Sequence, residues 1–410
     1  MMRGAGRLRR WLKFALILCF VLLLTQTPFI YRRYQLGRLA ATIQQLNAQR
    51  TPDTDALYAD YKGALHVHSA LGGHSTGTLA DIIQAAKANA LAFVVMTEHP
   101  AGELDTAAQT LSGPHGGVLF VAGTETNESA ADRLLTFGRD ARTVPAPPNA
   151  STQDLIDRAK QAGQLVFIAH PETFRSWQTA RGFDGMEVYN LHANAKRIQR
   201  LALFFDGLWS YRAYPHLLWT RFYELPAENL QRWDELTNAG RRVVAIAGND
   251  AHANVGLSLQ QLTGKPLLQL KLDPYERSFQ VVRTHALVTR TQPLDQEALL
   301  AALAAGHAYV AFDLLCDASG FRLTADNGEA QALQGDELAL RAGVRLRVHA
   351  PVESRIVLVK DGQKFDEVKA SEQVWTVRQP GVYRVECYLA QLPAPLSGRP
   401  WIISNPVYVR

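Results

Sequence analysis

The sequence predicts an α/β protein. A parallel sheet, open or closed into a barrel, stands behind an apolar N-terminal helix and ahead of a small antiparallel β-sandwich. Three observations carry this expectation. Six short apolar runs between residues 64 and 252 alternate with helical stretches, the grammar of strands buried on both faces. Residues 14–24 (FALILCFVLLL) form an unbroken apolar run. From about residue 318, short strands of alternating polarity replace the earlier pattern.

At 410 residues, 47% hydrophobic and 20% charged, the chain has ordinary globular composition. This excludes a mostly disordered, collagen-like or multi-span membrane protein. The net charge of +5 is uneven: residues 1–38 hold eight basic residues and no acid, so the remainder carries −3. A nucleic-acid binder would show its basic excess in the folded part, and none is there.

From Trp11 to Tyr31 the chain is long enough to cross a bilayer as a helix, which takes about 20 apolar residues. The basic cluster ahead of it is like a signal-peptide n-region, but no A-x-A cleavage site follows. An uncleaved signal anchor over 1–38 is therefore expected. Five basic residues precede the apolar run and three follow it, a bias that puts the N-terminus in the cytoplasm. The body would then lie outside an inner or plasma membrane, in a periplasmic or other extracytoplasmic space. Residues 39–61 read as a polar, helical spacer. Cys19 falls in the span, while Cys316 and Cys387 are open between a disulfide and two buried thiols.

The strand runs are 64–69, 91–99, 118–125, 165–171, 185–190 and 243–252. Thr78–Asp81 and Ser151–Asp154 are capping boxes that open amphipathic helices. Residues 143–149, with three prolines, read as a loop. In the region 318–410, Asp361-Gly362 predicts a tight hairpin turn between two alternating runs.

Polar residues recur where these apolar runs end: His66 and His68, His99, Glu125, His170, Glu187 with Asn190, and Asp250 with His252. In parallel α/β folds the C-terminal strand ends converge on one face, where ligands bind. A lone histidine at a strand end is usually structural, but the repetition across strands points to one shared site. Imidazoles and carboxylates without cysteine suit Zn²⁺, Mn²⁺ or Fe²⁺. Period-two alternation is expected to put His66 and His68 on one strand face, and His74 follows in a Gly-rich loop. His115, His216, His285, His307 and His349 lie off the strand ends and read as structural.

The runs LHVHSALGGHSTG (65–77), MTEHP (96–100), AGTE (122–125), IAHPE (168–172) and AGNDAH (247–252) resemble the polymerase and histidinol phosphatase (PHP) superfamily of metallohydrolases. The resemblance covers about 62–312 and implies a distorted (β/α)7 barrel with two or three divalent metals at its C-terminal strand face. It implies that His66, His68, Glu125 and Asp250 hold one metal, with Glu125 bridging to a second bound by His170. His74, His99 and His252 would hold a third. Glu187 or His192 would supply a further ligand to the second metal, or Asn190 a hydrogen bond. One departure is Thr97-Glu98-His99, where the family has Thr-Asp-His. The segments 306–313, 381–389 and 399–409 are similar to the carbaryl-hydrolase-like branch, in which an immunoglobulin-like sandwich follows the barrel.

The expected function is hydrolysis of a small-molecule phosphoester by a membrane-anchored enzyme, through a hydroxide bridging two metals. Asp250 would orient or deprotonate the water, and His252 or His99 would protonate the leaving group. Phosphate sites add cations outside the metal shell; Arg175, just after the His170 motif, is the first candidate, ahead of Arg139 and Lys196. Two alternatives are hydrolysis of an amide, carbamate or carboxyl ester, and a non-catalytic binding module with structural metals. Residues 196–225 form an aromatic and basic insertion that reads equally as a lid or interfacial surface and as barrel-flank packing.

Overall fold

The N-terminal apolar run opens a single helix, α1 (Met2–Ala48), which continues through Pro28. The protein is seen here as a computed structural model that describes residues 2–410 except 103, 127–131, 141, 144–146, 148–149, 197–198, 225–226, 255, 261–265 and 272. Among the described residues, α1 is the one helix long and apolar enough to cross a membrane, and its most apolar window is not buried in the body. The helix does not end at Arg38. Leu36, Leu39 and Leu46 are buried in the body's core, so the stretch read as a spacer is in large part a docked continuation of α1. The proline-rich segment 143–149 lies largely outside the described residues.

The site is positioned by β1 (Tyr58–Val67), β2 (Phe93–Met96), β3 (Gly113–His115), β4 (Val118–Val121), β5 (Gly123–Glu125), β6 (Arg133–Phe137), β7 (Leu165–Ala169), β8 (Gly185–Asn190) and β9 (Val244–Ala251). β1 lies parallel between β2 and β9, β2 is parallel to β4, and β7, β8 and β9 are mutually parallel in that order. β3 folds back on β4. An isolated parallel bridge, Glu98 to Thr124, links the end of β2 to β5. The expected parallel order is broken at β6, which is antiparallel to both β5 and β7. The connection from β5 to β6 is only the segment 126–132, shorter than the dozen or so residues a parallel crossover requires, so a hairpin is the available solution.

The helices are α2 (Leu79–Ala88), α3 (Thr106–Gln109), α4 (Thr152–Gln161), α5 (Leu191–Lys196), α6 (Arg200–Ser210), α7 (Ala227–Asn238), α8 (Tyr275–Val281) and α9 (Gln296–Ala305). α2 and α4 open with the two capping boxes read from the sequence. In each, the cap oxygen accepts from the third backbone N–H while the Asp carboxylate accepts from the cap N–H. Strands β10 (Gly256–Gln260) and β11 (Pro266–Lys271) form a separate two-stranded sheet.

Next come β12 (Arg283–Thr289) and β13 (Ala308–Ala311), then β14 (Arg322–Asp326), β15 (Gln331–Leu333), β16 (Glu337–Leu338), β17 (Val344–Lys360), β18 (Gln363–Val377), β19 (Gly381–Tyr388), β20 (Ile402–Ser404) and β21 (Val407–Val409). β12 pairs antiparallel with β1 and β13, and β13 pairs with β20. The C-terminal strands therefore continue one hydrogen-bonded network with the N-terminal sheet. β17 is a single long strand with a register shift between His349 and Ser354. Asp361 and Gly362 make the expected two-residue turn, with φ of 50° and 81°, both in the left-handed region that hairpin loops of this length use. Cys316 and Cys387 are two buried free thiols rather than a disulfide.

Candidate metal centre

The ends of β1, β5 and β9, with the residues that follow β1, β2, β7 and β9, bring seven side chains able to ligate a metal into two adjoining groups. The first is His66, Glu125, His170 and Asp250, all buried; the second is His68, His99 and His252. Within each group one ligating atom per residue lies within 4.8 Å of the others. Glu125 is central. Its Oε2 stands 3.1 Å from His66 Nε2 and 3.3 Å from both His68 Nε2 and His99 Nε2, and its Oε1 is 3.4 Å from His170 Nε2. Asp250 Oδ1 is 3.5 Å from His66 Nε2, and Oδ2 is 3.4 Å from His170 Nε2. The rings of His99 and His252 each stack with that of His68, with centroids 4.5 and 4.4 Å away.

The backbone is held in an unusual state here. His66, His170 and Asp250 have φ of 63°, 48° and 48°. Non-glycine residues rarely adopt this region, and strain of this kind gathers at functional sites. His66 sits at a bulge: the register of β1 shifts between Leu65 and Val67 against both neighbours. Period-two alternation does not hold across a bulge, so the expected reason for pairing His66 with His68 fails. Their rings still come within 5.0 Å of each other.

Glu187 lies outside both groups and hydrogen-bonds to their edge. Its Oε1 accepts from His66 Nδ1 at 2.6 Å, and its Oε2 accepts from His170 N at 3.1 Å and Asn190 Nδ2 at 3.0 Å. A proton held on Nδ1 by this carboxylate would leave Nε2 as the nitrogen to face a bound cation, the usual way a carboxylate fixes a ligating imidazole. Gly248 makes room for this. A Cβ at that position would fall 1.7 Å from Glu187 Oε1. Glu98, the departure from the family pattern, accepts from Ser69 N at 2.9 Å and Thr110 Oγ1 at 2.8 Å, tying down the loop after β1.

Burial opposes charge on His66, but Glu187, Glu125 and Asp250 outweigh it and hold its pKa well above the usual imidazole range. Against its burial, His170 is raised to about 10 by Asp250, Glu125, Glu172 and Glu187. Burial would lift Glu125 and Asp250, yet the surrounding imidazoles keep both well below the carboxylate range. Burial, followed by the neighbouring His68, lowers His99 and His252 to about 3. His68 is the exception in the second group: its burial is outweighed by Asp250 and Glu125, and its pKa is raised. The acid-rich group thus draws positive charge into a buried space. Both ring nitrogens of His68 and Nε2 of His170 are buried without a hydrogen-bond partner. Buried polar atoms normally find partners, and imidazole nitrogens facing carboxylates without hydrogen bonds are the donor arrangement a divalent cation completes.

The remaining sequence candidates sit differently. His74 is exposed, outside both groups, with its ring edge-on to His99 at 5.2 Å. His192 lies 5.1 Å from His252 ring to ring, and burial lowers its pKa. Arg175 is exposed and its backbone N–H donates to Asp132. Arg139 pairs at the surface with Glu297, and Lys196 is exposed, its charge felt at His192. Among the described residues, the cation that reaches the cluster is one the sequence reading did not select: Arg133, whose Nη1 lies 3.4 Å from Glu125 Oε1. It opens β6, and the run RLLTF (133–137) was the available signal.

No protein-family model matches the chain, and no curated protein matches it. Among solved structures, the chain is similar to a two-domain protein from Bacteroides vulgatus containing a predicted PHP-like metal-dependent phosphoesterase. Identity there is 17%, covering 87% of this chain and 97% of that one, with a TM-score of 0.40. A candidate metal-dependent phosphoesterase from Bifidobacterium adolescentis is 14% identical over 53% of this chain and 94% of that one, with a TM-score of 0.29. An amidohydrolase from Chromobacterium violaceum with bound sulfate and no metal is 15% identical over 47% of this chain and 88% of that one, also with a TM-score of 0.29.

Proposed function

We propose that the protein is a membrane-anchored, metal-dependent hydrolase of small phosphoesters, its site set at the mouth of a distorted (β/α)7 barrel of the PHP type. The observation that carries this reading is the set of buried, unpartnered imidazole nitrogens of His68 and His170 facing Glu125 and Asp250 at 3.3–3.6 Å. His66, Glu125, His170 and Asp250 would hold one divalent ion, and His68, His99 and His252 would hold another beside it. Zn²⁺, Mn²⁺ and Fe²⁺ all suit such donors. When bound, such ions supply Lewis acidity and a water that ionises near neutral pH.

The chain's own groups do the rest. Asp250, at the junction of the two groups, orients the attacking water and takes its proton. Arg133, at the edge of the cluster and only partly buried, binds a phosphoryl oxygen through its guanidinium. That cation favours a phosphoester over an amide, carbamate or carboxyl ester, which present a single neutral carbonyl. For the anchor, the uneven basic flanks of α1 support a cytoplasmic N-terminus and an extracytoplasmic body.

The test is metal analysis of the full-length protein purified in detergent, followed by matched panels of phosphoesters and carboxyl esters. Divalent metal should co-purify, and a chelator should abolish phosphoester turnover reversibly. Turnover of carboxyl esters alone would overturn the bond type. Tight metal binding with no turnover on either panel would support a binding module instead.

A further inference from the structure

Helix α6 is built inside out. Its buried face is polar: Asp206 has no exposed surface, pairs with Arg32 of α1 at 2.8 Å and with Arg221, and has buried Ser210 one turn on. Its outer face is apolar: Leu201, Phe204 and Leu208 are 74%, 58% and 66% exposed. These positions share one face by their i, i+3, i+7 spacing. In water this arrangement is unfavourable on both counts, because it buries an ion pair and leaves large apolar side chains solvated. Against hydrocarbon the outer face is favourable.

The neighbours of α6 say what covers that face. α6 is held against α1 where the apolar run ends. Trp209 Nε1 donates to Gln26 Oε1 at 3.1 Å, Phe205 packs on Phe29 with ring centroids 5.2 Å apart, and Arg33 donates to the Trp209 carbonyl. Residues 11–31 of α1 extend about 30 Å at 1.5 Å per residue, the thickness of a bilayer's hydrocarbon core. Trp11 with Arg9, Arg10 and Lys13 marks one end; Tyr31 and Tyr34 with Arg32 and Arg33 mark the other. Aromatic and basic residues collect at membrane–water interfaces, so α6, contacting α1 at 26–33, stands at interface depth. Just past the same C-terminal end of α6, the Tyr211 ring lies 4.6 Å from the guanidinium of Arg277 in α8. α8 also carries Tyr275, whose hydroxyl donates to the His68 carbonyl.

We propose that Leu201, Phe204 and Leu208 are seated in the lipid bilayer beside α1, forming a second membrane contact that holds the mouth of the metal centre toward the lipid surface. This rests on α1 spanning the membrane. The test uses the full chain carrying Cys19→Ser, since Cys316 and Cys387 are buried. Single cysteines at Phe204, Leu208, Ile17 and Glu329 are labelled with an environment-sensitive fluorophore, and the protein is reconstituted in phosphatidylethanolamine–phosphatidylglycerol vesicles with or without brominated acyl chains. Labels at 17, 204 and 208 should be quenched by the brominated lipid and shifted to shorter wavelength, and the label at 329 should do neither. Quenching at 17 but not at 204 or 208 would overturn the proposal and leave the anchor intact. No quenching at 17 would remove the anchor and the proposal with it. Labels at 204 and 208 shielded from an aqueous quencher, yet untouched by brominated lipid, would show a protein partner on this face and overturn the lipid assignment.

Discussion

Among the described residues, two buried histidine–carboxylate clusters differ in ways that residue type alone does not reveal. At the mouth, His66 lies between Glu187 and Glu125. At the joint between β1, β12 and β13, His285 lies between Asp60 (Nδ1 to Oδ1, 2.8 Å) and Asp313 (Nε2 to Oδ2, 3.2 Å). The joint is closed. Tyr309 donates to Asp60 at 2.5 Å, Gly320 N–H donates to Asp60 at 2.7 Å, and Arg283 pairs with Asp313 at 3.0 Å. Its buried side-chain atoms all have partners, and its one residue with positive φ is Gly320, a glycine, for which that conformation carries no side-chain strain. The mouth has unpartnered nitrogens and three left-handed residues. A satisfied, unstrained cluster is a fastener, whereas an unsatisfied, strained one is arranged for something still to bind.

That contrast is broken most sharply by one substitution in each cluster. Asp250→Asn keeps the shape of the mouth and removes a ligating charge and the proposed base. It should cut phosphoester turnover on the order of a thousandfold while far-UV circular dichroism stays unchanged. A folded Asp250→Asn protein with near-normal turnover would remove Asp250 from the chemistry. His285→Gln does the reverse. It leaves two buried carboxylates without their shared cation, a loss of about 3–5 kcal/mol, read by urea denaturation. Activity per folded molecule should be unchanged.

The joint also sets a pH dependence. Although burial lowers it, Asp60 and Asp313 raise the His285 pKa from 6.5 to about 9. The folded protein therefore keeps a proton up to about pH 9 that the unfolded chain releases near 6.5. The resulting stabilisation is complete below pH 6.5 and lost as pH rises through 9, on the order of 3 kcal/mol in all. Denaturation of the parent protein and of His285→Gln across this range should show a decline in the parent that the variant lacks. Parallel curves would mean that His285 is neutral in the fold.

How much of this was legible beforehand follows from what each feature depends on. The strand-end positions of His66, Glu125, His170 and Asp250 could be read because apolar runs mark strands and strand ends converge. The bulge at His66 could not, because a positive φ at a histidine leaves no mark in residue type. Arg133 was passed over because β6 is short and opens with a charge, unlike the longer apolar runs around it. The continuation of α1 was legible in principle: Leu36, Leu39, Ile43 and Leu46 make a helical stripe. The fall in hydropathy after Tyr31 obscured it. The partner of Glu187 was beyond reach, since nothing in the order of residues says that Gly248 clears space for its carboxylate.

Glu187 offers the finest distinction between the two clusters. It has the hydrogen bonding of the joint, all to protein groups, but stands within the mouth. If it is a positioning residue, Glu187→Gln keeps an oxygen for the His170 N–H and loses the charge that fixes the proton on His66 Nδ1. Groups in this role typically affect metal affinity or activity by about 10- to 100-fold, well short of the effect expected at Asp250. Metal titration of the purified variant should show weaker binding at the first group with unchanged stoichiometry. Loss of a full equivalent of metal would instead make Glu187 a ligand, in line with the resemblance to the PHP family. An unchanged affinity would move it to the side of the joint, a residue that ties β8 to β1 and to the end of β7 and leaves the chemistry to its neighbours.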